Sequence, residues 1–462
     1  MNNLTVTFDT TSKKPLYEQL YAHIAEEIKC QHLKEGERLP SKKSLSSHLK
    51  VSLNTVESAY QMLVQEGYVY AVPRSGFYVC KVEAGAGRNA EPILVEEELR
   101  EKPDYRVDFK TNAVDIESFP YATWIRLSKG IMYGNPDLLS AGEAQGDLVL
   151  RQSIVKHLRE LRGVRCSPAQ VIVGAGMEYL LMLLTEILGE GNRFAVEDPG
   201  YRKIENVLKN SGGEVHYIPV DHHGMQTKAL KRTDANIVYI TPSHQFPTGA
   251  VMPVGRRMEL LSWAAGQEGR YIIEDDYNSE FHFNGRPIPA VQGLDSWNKV
   301  IYLSTFSRIL APSIRIAYMV LPPQLLQIYR QRFGGYSSTV PRFDQHTLSK
   351  FMEEGYLARH LNRVKGIYKK RRDTLLSMLG RIQVEVSGEN AGLHLLIRMP
   401  SAGAMKSFLK TADKHKIKFY LLDDYYFTPQ KKPANTLIAG YAGVNEEQIK
   451  WAAKLLMQWS ER

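Results

Sequence analysis

Residues 300–323 read VIYLSTFSRILAPSIRIAYMVLPP. Two apolar runs, 300–303 and 317–321, enclose the polar stretch Ser304-Thr305-Phe306-Ser307-Arg308 and a second arginine, Arg315. Short apolar runs bounded by turn residues read as buried strands. Further runs of this kind precede it at 171–173, 193–196, 215–218, 237–240 and 271–273, separated by helical patterns. Strands alternating with helices imply an α/β domain with a largely parallel sheet.

A polar motif follows several of these runs at once: Gly174-Ala175-Gly176, Glu197-Asp198-Pro199-Gly200-Tyr201, residues 241–249, Glu274-Asp275-Asp276-Tyr277 and residues 305–308. Ligands of open α/β sheets sit at the carboxyl ends of the strands, so the five loops are expected to converge on one pocket. Gly174-Ala175-Gly176 would offer backbone N–H groups to a phosphate where a helix begins near Met177. Thr305, Ser307 and Arg315 would add hydroxyl and guanidinium donors. Asp275 ends a buried strand, a costly place for a carboxylate without a cation, and a protonated pyridine nitrogen would be one. Tyr201 offers a flat face for stacking and Tyr277 a phenol for a ring oxygen. Structural alternatives stand beside each role: Asp275 as a helix cap, Tyr201 as core filling, Arg315 as an ion pair, and Arg308 as an ion-pair partner in a vestigial pocket.

At 462 residues the chain exceeds one ordinary hydrophobic core, so two or more domains are expected, at 43% hydrophobic content. No run of about 18 apolar residues and no basic-then-apolar leader pattern occurs, which predicts a soluble, cytoplasmic protein without a membrane partner. Cys30, Cys80 and Cys166 are widely spaced and the 13 histidines form no ligand motif, so neither a disulfide scaffold nor a metal site is expected. The net charge is +9. Residues 1–80 contribute little to it, with nine Lys/Arg against eight Asp/Glu, whereas residues 359–372 hold seven basic residues and no acid. That run is expected to be a solvated helix face, with a supplementary nucleic-acid surface as the alternative.

In the first 80 residues, Leu16, Leu20, Ile24 and Ile28 recur every four positions and predict one face of a helix over 15–31. Ser41 is placed to cap a second helix with Leu45 and Leu49 inward. Ser52 caps a third, whose Val56, Ala59, Tyr60 and Leu63 face the core. Residues 68–71 and 76–80 alternate as a hairpin wing. Such a helix-turn-helix lays its second helix in the DNA major groove. Ser52, Asn54, Thr55, Ser58 and Gln61 are the expected DNA contacts on that helix, with Lys42, Lys43 and wing Arg74 on phosphates. Residues 81–106 have the composition of a connector, so the expected division is 1–80, a linker over 81–106, and 107–462.

The stretch LPSKKSLSSHLKVSLNTVESAYQMLVQEGYVYAVPRSGFYV resembles GntR-type winged helices, with Lys43 and Leu53 where that family often has arginine. EDPGYRKIENVLKNSG, TPSHQFPTGAVMPVGRRMELL, YIIEDDYNSEF and VIYLSTFSRILAPSIRIAYMVLPP resemble the MocR family, and within it the GabR-type regulators. The resemblance extends over essentially the whole chain. It implies an N-terminal winged helix-turn-helix, α with a β wing, joined to an α/β PLP-dependent aminotransferase fold of type I with a largely parallel sheet. It also implies pyridoxal 5′-phosphate as cofactor, a head-to-tail homodimer, operator DNA and a small-molecule effector. The family's Schiff-base lysine falls at Arg308, its pyridine-nitrogen aspartate at Asp275, its stacking tyrosine at Tyr201 and its phosphate-side arginine at Arg315.

Arg308 is the main departure. A guanidinium is not deprotonated in a protein, so no internal aldimine can form there. The effector-clamping arginine of GabR-type proteins falls at Gly443, a further expected arginine is Lys203, and Met177 stands where a small polar residue often contacts phosphate. Arg308 is either a natural abandonment of covalent chemistry, which Gly443 and Met177 favour, or a deliberate substitution. The chain thus reads as a DNA-binding transcription regulator rather than an enzyme. Its degenerate aminotransferase domain would sense a small molecule with pyridoxal phosphate held non-covalently or absent. The alternatives are a PLP-dependent aminotransferase with an accessory DNA-binding head and an interaction scaffold with an empty pocket.

Overall fold

A computed structural model describes residues 4–82 apart from 5 and 10, and residues 104–283, 289–382, 384–429 and 435–460. The chain divides into two compact units, Met1–Glu101 and Lys102–Arg462. The connector expected over 81–106 lies outside the described residues except at its two ends.

The first unit consists of α1 (Leu16–Lys29), α2 (Lys42–Leu49), α3 (Leu53–Gln65) and the antiparallel pair β1 (Val69–Val72) and β2 (Gly76–Val79). Both expected caps form: Ser41 Oγ accepts from the Ser44 N–H at 3.2 Å, and Ser52 Oγ accepts from the Thr55 N–H at 3.1 Å. Leu20, Ile24 and Ile28 of α1 pack with Leu45, Val56, Ala59, Tyr60 and Leu63 into one core closed by Val69 and Val79. Tyr60 reaches the core's edge and donates to the Pro40 carbonyl at 2.9 Å. Leu16, expected on the same inward face, is exposed. It is the first residue of α1, and helical side chains lean toward the N-terminus, past the end of the core.

The second unit is built on an eight-stranded sheet in the order β4-β11-β10-β9-β8-β5-β6-β7 among the described residues. After the short β3 (Val107–Asp108), α4 (Tyr121–Gly134) and α5 (Leu148–Arg162) come β4 (Val171–Gly174), α6 (Met177–Leu188), β5 (Arg193–Asp198) and β6 (Glu214–Asp221). Then follow β7 (Gly224–Met225), β8 (Ile237–Ile240), β9 (Tyr271–Asp276), β10 (Val300–Thr305) and β11 (Ala317–Val320). The strands β6, β5, β8, β9 and β10 pair in parallel, and β11 runs antiparallel to β10 and β4. Burial on both faces explains the unbroken apolar runs, since helices cover each side of a parallel sheet. Ile172, Ile273 and Leu303 pack with α6, while Val173, Tyr302 and Tyr318 pack with Ile154 and Leu158 of α5.

A second sheet contains β12 (Glu385–Ser387), β13 (His394–Arg398), β16 (Thr436–Gly440) and β15 (Tyr420–Leu421) in that order, and β14 (Ile417–Lys418) pairs with β3. It brings the 110–115 segment close to the end of β16. The Gly440 N–H donates to the Phe109 carbonyl at 2.9 Å, and a Cβ at Gly440 would lie 2.3 Å from the Lys110 carbonyl oxygen.

The basic run 359–372 is a solvated face over most of its length, with Arg359, Arg363, Lys369 and Lys370 exposed, and departs from that expectation at its end. It lies on the helix Tyr356–Leu379, where Arg371 and Arg372 are buried. Arg371 pairs with Asp115 at 3.2 Å and donates to the Ala442 carbonyl at 2.5 Å. Arg372 pairs with Asp373 at 2.7 Å and reaches the Glu389 carbonyl at 2.9 Å, and Arg363 donates to the Ser118 carbonyl. The two buried arginines are thus held by Asp115, by the neighbouring Asp373 and by carbonyls distant in sequence.

Candidate functional site

The ends of β4, β5, β8, β9 and β10 surround a cavity of about 400 Å³. Four of the five expected loops contribute: Gly200 and Tyr201 after β5, Thr241 and Phe246 after β8, Asp275 and Tyr277 at β9, and Thr305, Ser307 and Arg308 after β10; of the fifth, Gly174-Ala175-Gly176 do not line the cavity, and Met177 and Glu178 at the start of α6 do. Arg315 joins them, and so do three residues before the sheet, Lys110, Thr111 and Asn112. Tyr420, Tyr425 and Phe427 form a wall from the C-terminal part. Composition of the apolar runs gave no signal for these last two contributions, because both arrive through long-range pairing.

Strand periodicity separates the two aspartates of β9. Adjacent residues face opposite sides of a sheet. Asp276 points toward α5, where its Oδ2 accepts from Arg162 Nε at 2.7 Å and from the Tyr302 hydroxyl at 2.5 Å; Arg162 also reaches Ser243 Oγ at 2.6 Å. Asp275 points into the cavity, its Oδ2 accepting from the Tyr239 hydroxyl and its Oδ1 buried without a hydrogen-bond partner. Burial pushes its carboxyl up to about 7, against the lowering effects of the Tyr239 hydrogen bond and the nearby Arg308 charge. Tyr239 was hidden within an apolar strand and was not foreseen.

Glu197 is a second buried carboxylate on the cavity wall. Its Oε2 accepts from Thr241 N–H at 3.1 Å and Thr241 Oγ1 at 2.7 Å, and burial raises it to about 7. Tyr277 donates to the His244 carbonyl at 3.1 Å, and burial lifts its phenol well above the ordinary value. Tyr201 is partly exposed to the cavity and meets Phe246 edge-on, ring centroids 5.5 Å apart.

At the β4 end, Gly176 precedes α6 with φ +103°, and a Cβ there would lie 2.0 Å from Arg315 Nη2. Only glycine permits that approach. Arg315 pairs with Glu178 at 3.0 Å and Lys203 lies 3.6 Å from the same carboxylate; against the raising effect of burial, a hydrogen bond from its own backbone N–H and then these cations hold Glu178 below its usual range. Thr305 Oγ1 and Ser307 Oγ lie 3.1 Å apart at the same end. Gly174 and Ala175 stand behind this rim, and the Ala175 N–H is already engaged by Thr339 Oγ1 at 3.0 Å.

Arg308 leaves the end of β10 and projects across the cavity. Its Nη1 donates to the Thr111 carbonyl at 2.8 Å, and its guanidinium lies 5.8 Å from the centre of the Tyr277 ring. Among the described residues no carboxylate lies within ion-pairing distance of it, so the ion-pair alternative for Arg308 finds no partner.

Residues 107–456 match the aminotransferase class I and II family, and residues 16–79 match the bacterial regulatory proteins of the gntR family. The uncharacterized HTH-type transcriptional regulator YhdI of Bacillus subtilis is 36% identical, over 99% of this chain and 98% of its own. The probable rhizopine catabolism regulatory protein MocR of Rhizobium meliloti is 32% identical, over 96% of this chain and 94% of its own. The chain belongs to the MocR family. Among solved structures, the α-aminoadipate aminotransferase LysN of Thermus thermophilus, complexed with N-(5′-phosphopyridoxyl)-L-leucine, superposes with a TM-score of 0.67. It is 24% identical and covers 77% of this chain and 92% of its own, a likeness of fold. This MocR-family chain is therefore a DNA-binding transcription regulator with an aminotransferase-like domain, and aminotransferases of that class depend on pyridoxal phosphate.

The DNA contacts expected from the sequence fall on and beside α3. Here Ser52, Asn54 and Gln61 are exposed, Thr55 and Ser58 partly so, and Lys43 and Arg74 are exposed beside them. Lys42 is held by Glu57 at 2.5 Å and sits over the Phe77 ring. Leu53, at the first position of α3, presents an apolar side chain to solvent.

Proposed function

We propose that this regulator senses a small molecule through a pocket that takes pyridoxal phosphate or a close analogue without a covalent bond, and that it does not turn substrate over. The reading rests above all on Arg308, a cavity-lining cation without an ionic partner among the described residues, at the position to which the resemblance assigns the family's Schiff-base lysine. Lysine supplies both the covalent link and the general base of transamination, and a guanidinium supplies neither.

The remaining residues fit such a ligand. The unpartnered Oδ1 of Asp275 would accept from a protonated ring nitrogen, relieving a buried acceptor. Tyr201 would stack on the ring and Tyr277 would meet a ring oxygen. Thr305, Ser307 and Arg315 would hold the phosphate, with Arg315 already brought against Gly176, while the Ala175 and Gly176 N–H groups expected to join them are engaged by Thr339 and Gly174. When bound in a lysine-bearing relative this cofactor supplies an electrophilic carbonyl; here the chain's own groups would only orient and retain it.

On the DNA side, Asn54, Thr55, Ser58 and Gln61 would read base edges, while Lys43, Ser52 and Arg74 position the helix on phosphates. Lys42 would act only after release from Glu57. A homodimer is supported by α4: Tyr121, Ile125 and Met132 form an outward apolar stripe opposite buried Leu127 and Ile131. The head-to-tail arrangement and cytoplasmic location follow from the family reading.

The test is an absorbance and thermal-stability measurement on the full chain with and without pyridoxal phosphate, before and after borohydride. Stabilisation without a borohydride-fixed mass gain is expected. Transaminase turnover at ordinary rates, or a fixed adduct, would sink the proposal.

A further inference from the structure

Arg308 has no ion-pair partner among the described residues, although the Asp275 carboxyl lies near enough to act on its charge. Its one hydrogen bond among the described residues is to the Thr111 carbonyl, and its other neighbour is the face of Tyr277. A guanidinium carries five donors in a planar fork and keeps its charge, so most of its capacity faces the cavity unused. The acids around it make their hydrogen bonds and ion pairs with other groups, though Asp275 and Glu197 each keep one oxygen without a partner. Glu178 answers Arg315 and Lys203, Glu197 is tied to Thr241, and Asp275 is engaged by Tyr239 through one oxygen. Lys110, Lys203, Arg308 and Arg315 all line the same cavity.

We infer that the pocket selects its ligand by the charge of the ring substituent facing Arg308, accepting an oxygen acceptor or carboxylate there and rejecting an ammonium group. The inference rests on the reading of this cavity as a pyridoxal-phosphate-type site and goes one step further. A lysine at this position selects an aldehyde, because only an aldehyde forms the covalent link. Arginine removes that requirement and substitutes an electrostatic one: an oxygen gains a charge-assisted hydrogen bond, a carboxylate gains a two-pronged pair, and an amine meets a like charge in a poorly solvated site. The favoured ligand is therefore a flat, phosphate-bearing aromatic ring whose remaining substituent is an alcohol, aldehyde or acid.

Calorimetric titration of the full chain with pyridoxal 5′-phosphate, pyridoxine 5′-phosphate and pyridoxamine 5′-phosphate tests this. The first two are expected to bind within about three-fold of each other, and the amine at least ~10-fold more weakly. Arg308→Gln, which removes the charge, should bring the amine to within about three-fold of the alcohol. Arg308→Lys should restore preference for the aldehyde, with a mass gain fixed by borohydride. Equal affinity of the wild-type chain for all three, or preference for the amine, overturns the inference while leaving the pocket reading intact. Failure of all three to bind overturns the pocket reading and the inference with it.

Discussion

Arg308 Nη1 donates to the carbonyl oxygen of Thr111 at 2.8 Å, joining the end of β10 to a segment 197 positions earlier in the chain. The bond holds residues 110–112 against the cavity they line. Lysine at 308 has a shorter reach and a single donor centre, so Arg308→Lys is expected to cost the ligand-free protein about 1 kcal/mol in urea unfolding. It should also speed hydrogen exchange in the 110–115 segment.

Gly443 packs on the same segment from the other side. A Cβ there would lie 2.4 Å from Ala113 Cβ, closer than two carbons can approach. Gly443→Ala is therefore expected to destabilise by about 1–3 kcal/mol, and Ala113→Gly in the same chain to recover most of the loss. Thermal unfolding of the single and double variants measures the coupling. The effector-clamping arginine of GabR-type relatives has no room at this position while the segment stays in place.

The two aspartates of β9 should respond in opposite ways. Asp276→Asn breaks a buried pair with Arg162 and is expected to cost about 3–5 kcal/mol. Asp275 has a folded value of about 7 against 3.8 unfolded, so the folded state keeps a proton that the unfolded state releases. That proton makes Asp275's contribution to stability decline as pH rises from about 4 to about 7 and level off above. Asp275→Asn removes this decline, so the variant should gain stability relative to wild type between pH 5 and pH 8 in urea titrations. The same variant should weaken binding of pyridoxal phosphate.

Salt dependence separates the DNA contacts. Lys43→Ala is expected to lower the slope of log affinity against log salt by about 1, and Leu53→Arg to raise it by about 1, without changing the preferred sequence. Fluorescence anisotropy on operator fragments at several salt concentrations measures both.

The apolar stripe on α4 predicts that Ile125→Asp shifts the protein toward monomer, since a charge placed in a buried interface lacks compensation. Light scattering across a concentration series reports the change. A wild-type chain already monomeric at high concentration would remove the dimer from the proposal.

The amino-acid pattern by itself determined the winged helix, with both serine caps, and the alternation of strands and helices. It also determined that loops at the ends of β5, β8, β9 and β10 would share a pocket, because all of these follow from local periodicity and from the geometry of parallel sheets. It placed Asp275 and Arg308 at strand ends too. Only the tertiary structure decided their electrostatic state. Arg162 forms an ion pair with Asp276 while Asp275 has none among the described residues, each keeping one oxygen without a hydrogen bond, and Thr111 offers Arg308 a carbonyl but no charge. The run 359–372 shows the same limit from the other side, since its two buried arginines, Arg371 and Arg372, are paired with Asp115 and Asp373 and reach distant carbonyls. Charge compensation is set by what lies within a few ångströms in space, and sequence spacing carries little of that information.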